Sequence, residues 1–239
     1  MAADPPRQQL IGVGRTADVY AIGAGRVLRR YRVPIDVRAE AELMTFLAAA
    51  GYPVPAVYDA DGTDLVMERL EGRDMLADLG ARPWRARRHA RTLAALHDRL
   101  HVIEAPPALR PFGPGDRILH LDLHPANVML TERGPVVIDW VNAHAGAPGA
   151  DVAMAYLIMA TSEVDQIPAP LRLALRPVRA ALIGQFLRAV DDDPGPHIAT
   201  VARERMRDRA VRPGEIERLR QMAEAAEQTG QSPAAGSPA

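Results

Sequence analysis

The chain has 239 residues, 48% hydrophobic and 25% charged, with a formal net charge of -1, values that fit a folded protein and not a disordered one. A charge so close to zero argues against the broadly basic surface of a nonspecific nucleic-acid binder. The absence of cysteine excludes disulfides, thiolate metal sites and cysteine nucleophiles. All 29 residues of the Lys+Arg count are arginine, so no lysine is available for any role. The start MAADPPRQQL lacks the basic and apolar regions of a signal peptide, and the apolar run near 152–160 is too short to cross a bilayer. A soluble, cytoplasmic protein with no nucleic-acid and no membrane partner is expected.

Short β-like runs separated by glycine-rich breaks are predicted at 9–12, 17–22 and 26–31. After Pro34 the pattern becomes helical, with Leu43, Phe46, Leu47 and Ala50 at core spacing and Gly51 and Pro53 as the stop. Extended runs follow at 55–58 and 64–68, across Asp61 and Gly62, a favourable hairpin turn. Residues 1–70 thus read as a five-stranded sheet with one helix. A long helix is predicted over 83–103, with Pro83 in its first turn and Leu93, Leu96 and Leu100 spaced for burial. Further helices are predicted near 152–161, 171–190, 197–210 and 213–227, interrupted by Asp191, Asp192, Asp193, Pro194 and Gly195 and by Pro213 and Gly214. Residues 71–227 therefore form a mainly helical region. The tail 228–239 has no apolar periodicity and is expected to be disordered.

The most informative stretch is HLDLHPANVML at 120–130, followed after a turn by VVIDW at 136–140. Phosphoryl transfer needs a carboxylate near the attacking hydroxyl and oxygen ligands for Mg2+, because its main tasks are positioning and charge neutralisation. Asp122, Asn127 and Asp139 supply those groups, and the apolar runs 128–130 and 136–138 would hold them at the base of a hairpin. The plainer role for such Asp and Asn residues is to satisfy turn backbones.

The pattern His120, Asp122, Asn127, hairpin, Asp139 resembles that of the aminoglycoside phosphotransferase and choline kinase group, small-molecule relatives of protein kinases. The resemblance covers roughly residues 9–160. It implies an α+β, two-lobed protein-kinase-like fold, with a small antiparallel N-lobe sheet, one helix and a mainly helical C-lobe. It also implies ATP and Mg2+ as cofactors, and a small-molecule hydroxyl acceptor such as an aminoglycoside, an amino alcohol or a sugar. By this resemblance Asp122 would orient or deprotonate the acceptor hydroxyl, Asn127 and Asp139 would bind Mg2+, His120 would brace the catalytic loop and His124 would shape it. Asp151, in GAPGADVAMAYL, matches an acidic residue that accepts hydrogen bonds from the catalytic-loop backbone; read locally, it is a helix N-cap.

In IGVGRTADVY, Gly12 and Gly14 resemble a nucleotide-covering loop, with Ala17 near the third glycine's place; the local alternative is a plain hairpin turn. Arg29, in RVLRRYR, stands where kinases usually carry a phosphate-pairing lysine, with Glu40 as its helix partner, Arg30 as a weaker substitute and Glu42 on another face. In LVMERLEGRDML, backbone groups near Glu68, Arg69 and Leu70 resemble the adenine-binding linker, or alternatively an edge strand entering a turn. The missing lysine leaves a second function open, a pseudokinase acting as a nucleotide-binding or regulatory module. A protein-directed kinase is disfavoured, because no Ala-Pro-Glu segment or long activation loop follows Asp139. His97 and His101 have i, i+4 spacing without an evident third metal ligand, which favours packing or surface roles. Glu163, Asp165 and the run 191–193 offer negative charge to a cationic acceptor, though acidic residues between helices are commonly solvated caps.

Overall fold

The first strands are runs of five or six residues whose side chains point in turn to the two faces of a sheet. The computed structural model describes residues 8–14, 16–35, 37–162, 169–208 and 211–230. In chain order these form β1 (Gln9–Val13), β2 (Ala17–Ala21), β3 (Arg26–Tyr31), α1 (Arg38–Ala49), β4 (Val57–Asp61), β5 (Asp64–Glu68) and β6 (Arg73–Asp74). There follow α2 (Met75–Ala81), α3 (Ala86–His101), β7 (Pro111–Phe112), β8 (Arg117–Leu119), β9 (Val128–Thr131), β10 (Gly134–Val137) and β11 (His144–Gly146). The chain ends in α4 (Pro148–Thr161), α5 (Ala169–Ala189), α6 (Ile198–Arg205) and α7 (Pro213–Gly230). By internal contacts it divides into one unit of Met1–Ala77 with Ala126–Val141 and another of Asp78–Pro125 with Asn142–Ala239.

The first unit carries the five-stranded antiparallel sheet in the order β1-β2-β3-β5-β4, and the β9–β10 hairpin, which pairs with β6. Helix α1 buries Ala41, Leu43, Met44 and Leu47, whereas Phe46, expected in the core, is 40% exposed. Trp140 is buried edge-on against Tyr52, with ring centroids 5.6 Å apart, and the amide of Val137 donates to the carbonyl of Pro53. These contacts tie the hairpin to the segment after α1.

In the second unit, α3 buries Leu93, Leu96 and Leu100 as expected, together with His89, His97 and His101. Pro83 opens a separate single turn of tighter helix, so α3 itself begins at Ala86. A small sheet, β7-β11-β8, lies beside a core formed by Leu119, Ala153, Leu157, Val201 and Leu219. Helix α4 starts at Pro148 behind Ala147, which corrects the reading of Asp151 as an N-cap: Asp151 lies inside the first turns and is fully buried. Residues 228–230 complete α7, and the rest of the expected tail lies outside the described residues. Among the described residues no helix is long and apolar enough to cross a membrane.

Gly72 has φ +140° and approaches β9 so closely that an added Cβ would sit 2.1 Å from the carbonyl oxygen of Leu130. Only glycine fits both the dihedral and the space. Gly72→Ala is expected to reduce the unfolding free energy by at least about 2 kcal/mol. Urea unfolding checks this, and an unchanged midpoint would contradict the close approach.

Candidate active site

Strand periodicity places Arg29 and Tyr31 on one face of β3, and Glu40 reaches that face from the first turn of α1. The Arg29 guanidinium donates through Nη1 to Glu40 Oε1 at 3.3 Å and through Nη2 to Asp139 Oδ1 at 2.6 Å, with its carbon 4.7 Å from the centre of the Tyr31 ring. Tyr31 donates its hydroxyl to Glu40 Oε2 at 2.7 Å. Burial pushes the Glu40 carboxyl above its usual range, although Arg29, the Tyr31 hydroxyl and the Trp140 amide oppose that rise. Burial also works against the Arg29 charge, but the carboxylates of Asp139 and Glu40 outweigh it and leave the guanidinium above its ordinary value. Arg30 points to the other face and pairs with Asp64 at 2.6 Å, and Glu42 is exposed. Neither joins the cluster.

Asn127 and Asp139 flank the open end of the β9–β10 hairpin, where Val128 pairs with Val137 and the amide of Ile138 donates to the carbonyl of Asn127 at 3.0 Å. Asp139 has φ +70°, a left-handed conformation that Asp adopts more readily than most residues and that is often concentrated at functional positions. Gly12 lies in β1 opposite Val19, beside an irregularity in the β1–β2 register. The amide of Gly14 donates to the carbonyl of Ala17 at 2.8 Å, so this glycine closes the turn, and a Cβ there would lie 3.0 Å from that carbonyl oxygen. At the end of β5, the amides of Glu68 and Arg69 donate to the carbonyls of Ala56 and Gly25, and the Glu68 carboxylate pairs with Arg133 at 2.6 Å. Leu70 is half-buried just beyond.

Asp122 belongs to the second unit. Its amide donates to Nδ1 of the buried His120 at 3.2 Å, and its carboxylate lies 3.4 Å from Nε2 of His124. Burial alone would raise the Asp122 carboxyl, but the His124 hydrogen bond and charge, with His120 and Arg205 beyond, hold it below the usual range. The group is therefore ionised at neutral pH. Asp151 accepts the amides of Leu121 at 2.6 Å and His120 at 3.1 Å, which fixes the backbone just before Asp122. Within the acidic run Asp192 bonds His101, whereas Asp191 and Asp193 are exposed, the amide of Asp191 donating to Asp98 and the Asp193 carboxylate accepting the amide of Gly195. Glu163 and Asp165 lie outside the described residues.

Two partners went unread in the sequence. Tyr31 was signalled only by its i, i+2 spacing from Arg29. Arg205 carries no local signal at all.

An arginine clamped between a helix glutamate and a post-hairpin aspartate, in a sheet-and-helix unit joined to a helical one, defines a protein-kinase-like phosphotransferase fold. The chain belongs to the phosphotransferase enzyme family, whose model matches residues 7–117 and 98–184. Among solved structures it is similar to ADP-bound aminoglycoside phosphotransferase APH(2'')-Ib, with TM-score 0.60 and 14% identity over 94% of this chain and 95% of that one. It is also similar to a choline/ethanolamine kinase family protein from Mesorhizobium loti, with TM-score 0.57 and 15% identity over 97% and 90%. A ternary complex of aminoglycoside phosphotransferase APH(4)-Ia with AMP-PNP and hygromycin B gives TM-score 0.62 and 13% identity over 94% of each chain. At such identities the likeness is one of fold. No curated protein sequence matches the chain.

Removing Arg29 would leave Glu40 buried without its cation. Arg29→Ala is expected to lower the unfolding free energy by about 3–5 kcal/mol, and Arg29→Lys by less, because an ammonium keeps the charge but not the fork. Chemical unfolding of both variants tests this; equal losses would mean that the fork, not the charge, holds the cluster.

Proposed function

We propose that the protein transfers the γ-phosphate of ATP, with Mg2+, to a hydroxyl of a small molecule of the aminoglycoside, amino alcohol or sugar type. The observation that carries this reading is the meeting of Arg29, Glu40 and Asp139 from three separate stretches of chain. Membership of the phosphotransferase enzyme family supports it, as do relatives of the same fold crystallised with ADP and with AMP-PNP.

The roles follow from donor chemistry. Asn127 and Asp139 offer hard oxygen ligands of the kind Mg2+ prefers, and the Asp139 side chain remains 31% exposed despite its bond to Arg29. When bound, Mg2+ supplies positive charge against the phosphate oxygens. Arg29, held by Glu40, is assigned to the phosphates, and the glycine turn of Gly12 and Gly14 to covering them. With the Glu68 and Arg69 amides already bonded, the carbonyl of Glu68 and the amide of Leu70 are assigned to the adenine edge. Asp122, ionised at neutral pH, is assigned to orienting the acceptor hydroxyl and taking its proton.

One observation favours a second reading. Arg29 already occupies an oxygen of Asp139, so the protein could bind nucleotide yet fail to turn it over. The two readings separate experimentally. Saturating ATP with Mg2+, at about a hundred times the dissociation constant, should stabilise the native protein by roughly 2.7 kcal/mol, and Asp139→Asn should abolish the gain. Asp122→Asn should keep the stabilisation but lower kcat about 10²–10⁴-fold with a hydroxyl acceptor. Stabilisation with no phosphate transfer across a panel of aminoglycosides, amino alcohols and sugars would favour the pseudokinase; no stabilisation would remove nucleotide from the account.

A further inference from the structure

A buried string of imidazoles and carboxylates in the second unit is left over by the roles above. His101, buried in the last turn of α3, directs both ring nitrogens at carboxylates: Nδ1 lies 2.7 Å from Asp192 Oδ2 and Nε2 lies 3.1 Å from Asp151 Oδ2. A neutral imidazole carries one N–H, so it satisfies only one of these contacts and sets a lone pair against the other carboxylate. Only the doubly protonated ring satisfies both. The charge count agrees, since one imidazolium between two carboxylates leaves the buried Asp151 compensated.

What Asp151 holds is the backbone before Asp122. Leu121 has φ +57°, a left-handed conformation unusual for a residue of its kind, and its amide is fixed by Asp151 Oδ1 at 2.6 Å. The neighbouring amide of His120 is fixed by Oδ2 at 3.1 Å. We propose that His101, held as an imidazolium between Asp151 and Asp192, is a positioning residue that sets the orientation of Asp122 through Asp151 and Leu121, so that catalysis declines as His101 loses its proton. This rests on the role given to Asp122 under the proposed function.

The titratable groups facing His101 are Asp151 from α4, Asp192 from the α5–α6 connection, and His97 and Asp98 from its own helix. Helix α5 brings the apolar Phe186 to the neighbouring His97 ring. Burial pulls the His101 pKa down, but Asp151 and Asp192 outweigh it and leave it above 6.5. Asp192 is 32% exposed and connects the ring to solvent protons. The sign follows: the stabilising contribution of His101 is full below 6.5 and is lost as pH rises through its raised value.

The ligand atoms of His97, His101 and Asp151 also lie within 4.8 Å of one another, close enough to suggest a cation site. Hydrogen bonding accounts for His101 and Asp151, whereas His97 Nδ1, 3.5 Å from Asp151 Oδ2, makes no hydrogen bond. His97 donates towards the carbonyl of Leu123 at 3.3 Å, and Asp151 Oδ2 is shared by His101 and the amide of His120. An imidazolium has no lone pair to offer a metal.

The test is the ring ¹⁵N titration of His101 in the full chain, assigned with His101→Gln, compared with Asp192→Asn. The expected result is a titration above 6.5 in the native protein, lowered by about one pH unit in Asp192→Asn. In the phosphotransfer assay the basic limb of kcat should move down by the same amount while KM for ATP stays constant. A ring that titrates at or below 6.5 overturns the proposal whatever the activity. So does a lowered titration that leaves the basic limb in place, because His101 would then be structural only. If no phosphotransfer is found, amide exchange at Leu121 decides the anchoring: it should accelerate as His101 deprotonates, and at lower pH in Asp192→Asn, and a rate indifferent to both would overturn it. Stabilisation of the native protein by added Zn2+, absent in His101→Gln, would overturn it in favour of a cation site.

Discussion

A carboxylate taken out of water must be met by donors or remain protonated, and in each unit that constraint decides which distant segments are joined. Glu40 is 7% exposed in the first unit and is met by Arg29 from β3, the Tyr31 hydroxyl and the amide of Trp140. Asp151 is wholly buried in the second and is met by His101 and by the amides of His120 and Leu121. Because an uncompensated buried charge is so unfavourable, each acid acts as a fixed point to which chemistry-bearing residues are tied. Asp139 is tied through Arg29, and the backbone before Asp122 through Asp151. Rigid support of this kind is what a positioning reaction requires.

The lack of lysine gives the first cluster its particular form. An ammonium is a point charge on a flexible stem, whereas the guanidinium presents separate donors in a plane. Arg29 uses them separately, Nη1 for Glu40 and Nη2 for Asp139, and lays its plane near the Tyr31 ring. Tyr31 then returns a hydrogen bond to the second oxygen of Glu40. The guanidinium is thus met by a ring at i, i+2 on the same strand face, which also hydrogen-bonds its carboxylate partner.

Local signals carried the first unit well. The bounds of β3 and β5 follow from period-two patterning and from the turn chemistry of Asp61 and Gly62, because those features need no tertiary information. Phe46 misled because its spacing fits a core face that α1 instead completes with Met44. Helix α2 and the β7-β11-β8 sheet escaped notice, since strands of two or three residues are too short to show a period. Asp151 had the local chemistry of a cap, but Pro148 moved the helix start upstream and carried it inside. Among the candidate residues Asp122, Asn127, Asp139, Arg29 and Glu40, all picked out by a spaced motif, the structure brings Arg29, Glu40 and Asp139 into contact. His101 and Asp192 were not paired in advance, because they are 91 positions apart and only packing joins them.

The fate of the acidic run bears on the acceptor. Negative charge between helices would draw a cationic acceptor if it were unpaired and open to solvent. Here Asp192 is compensated by His101, while Asp193 and Asp98 accept backbone amides of the run and its turn. Asp122 itself feels His124, His120 and Arg205, all of which lower its pKa and none of which adds negative potential. Asp191 and Asp193 stay exposed, so the run keeps negative charge at the surface beside the compensated Asp192.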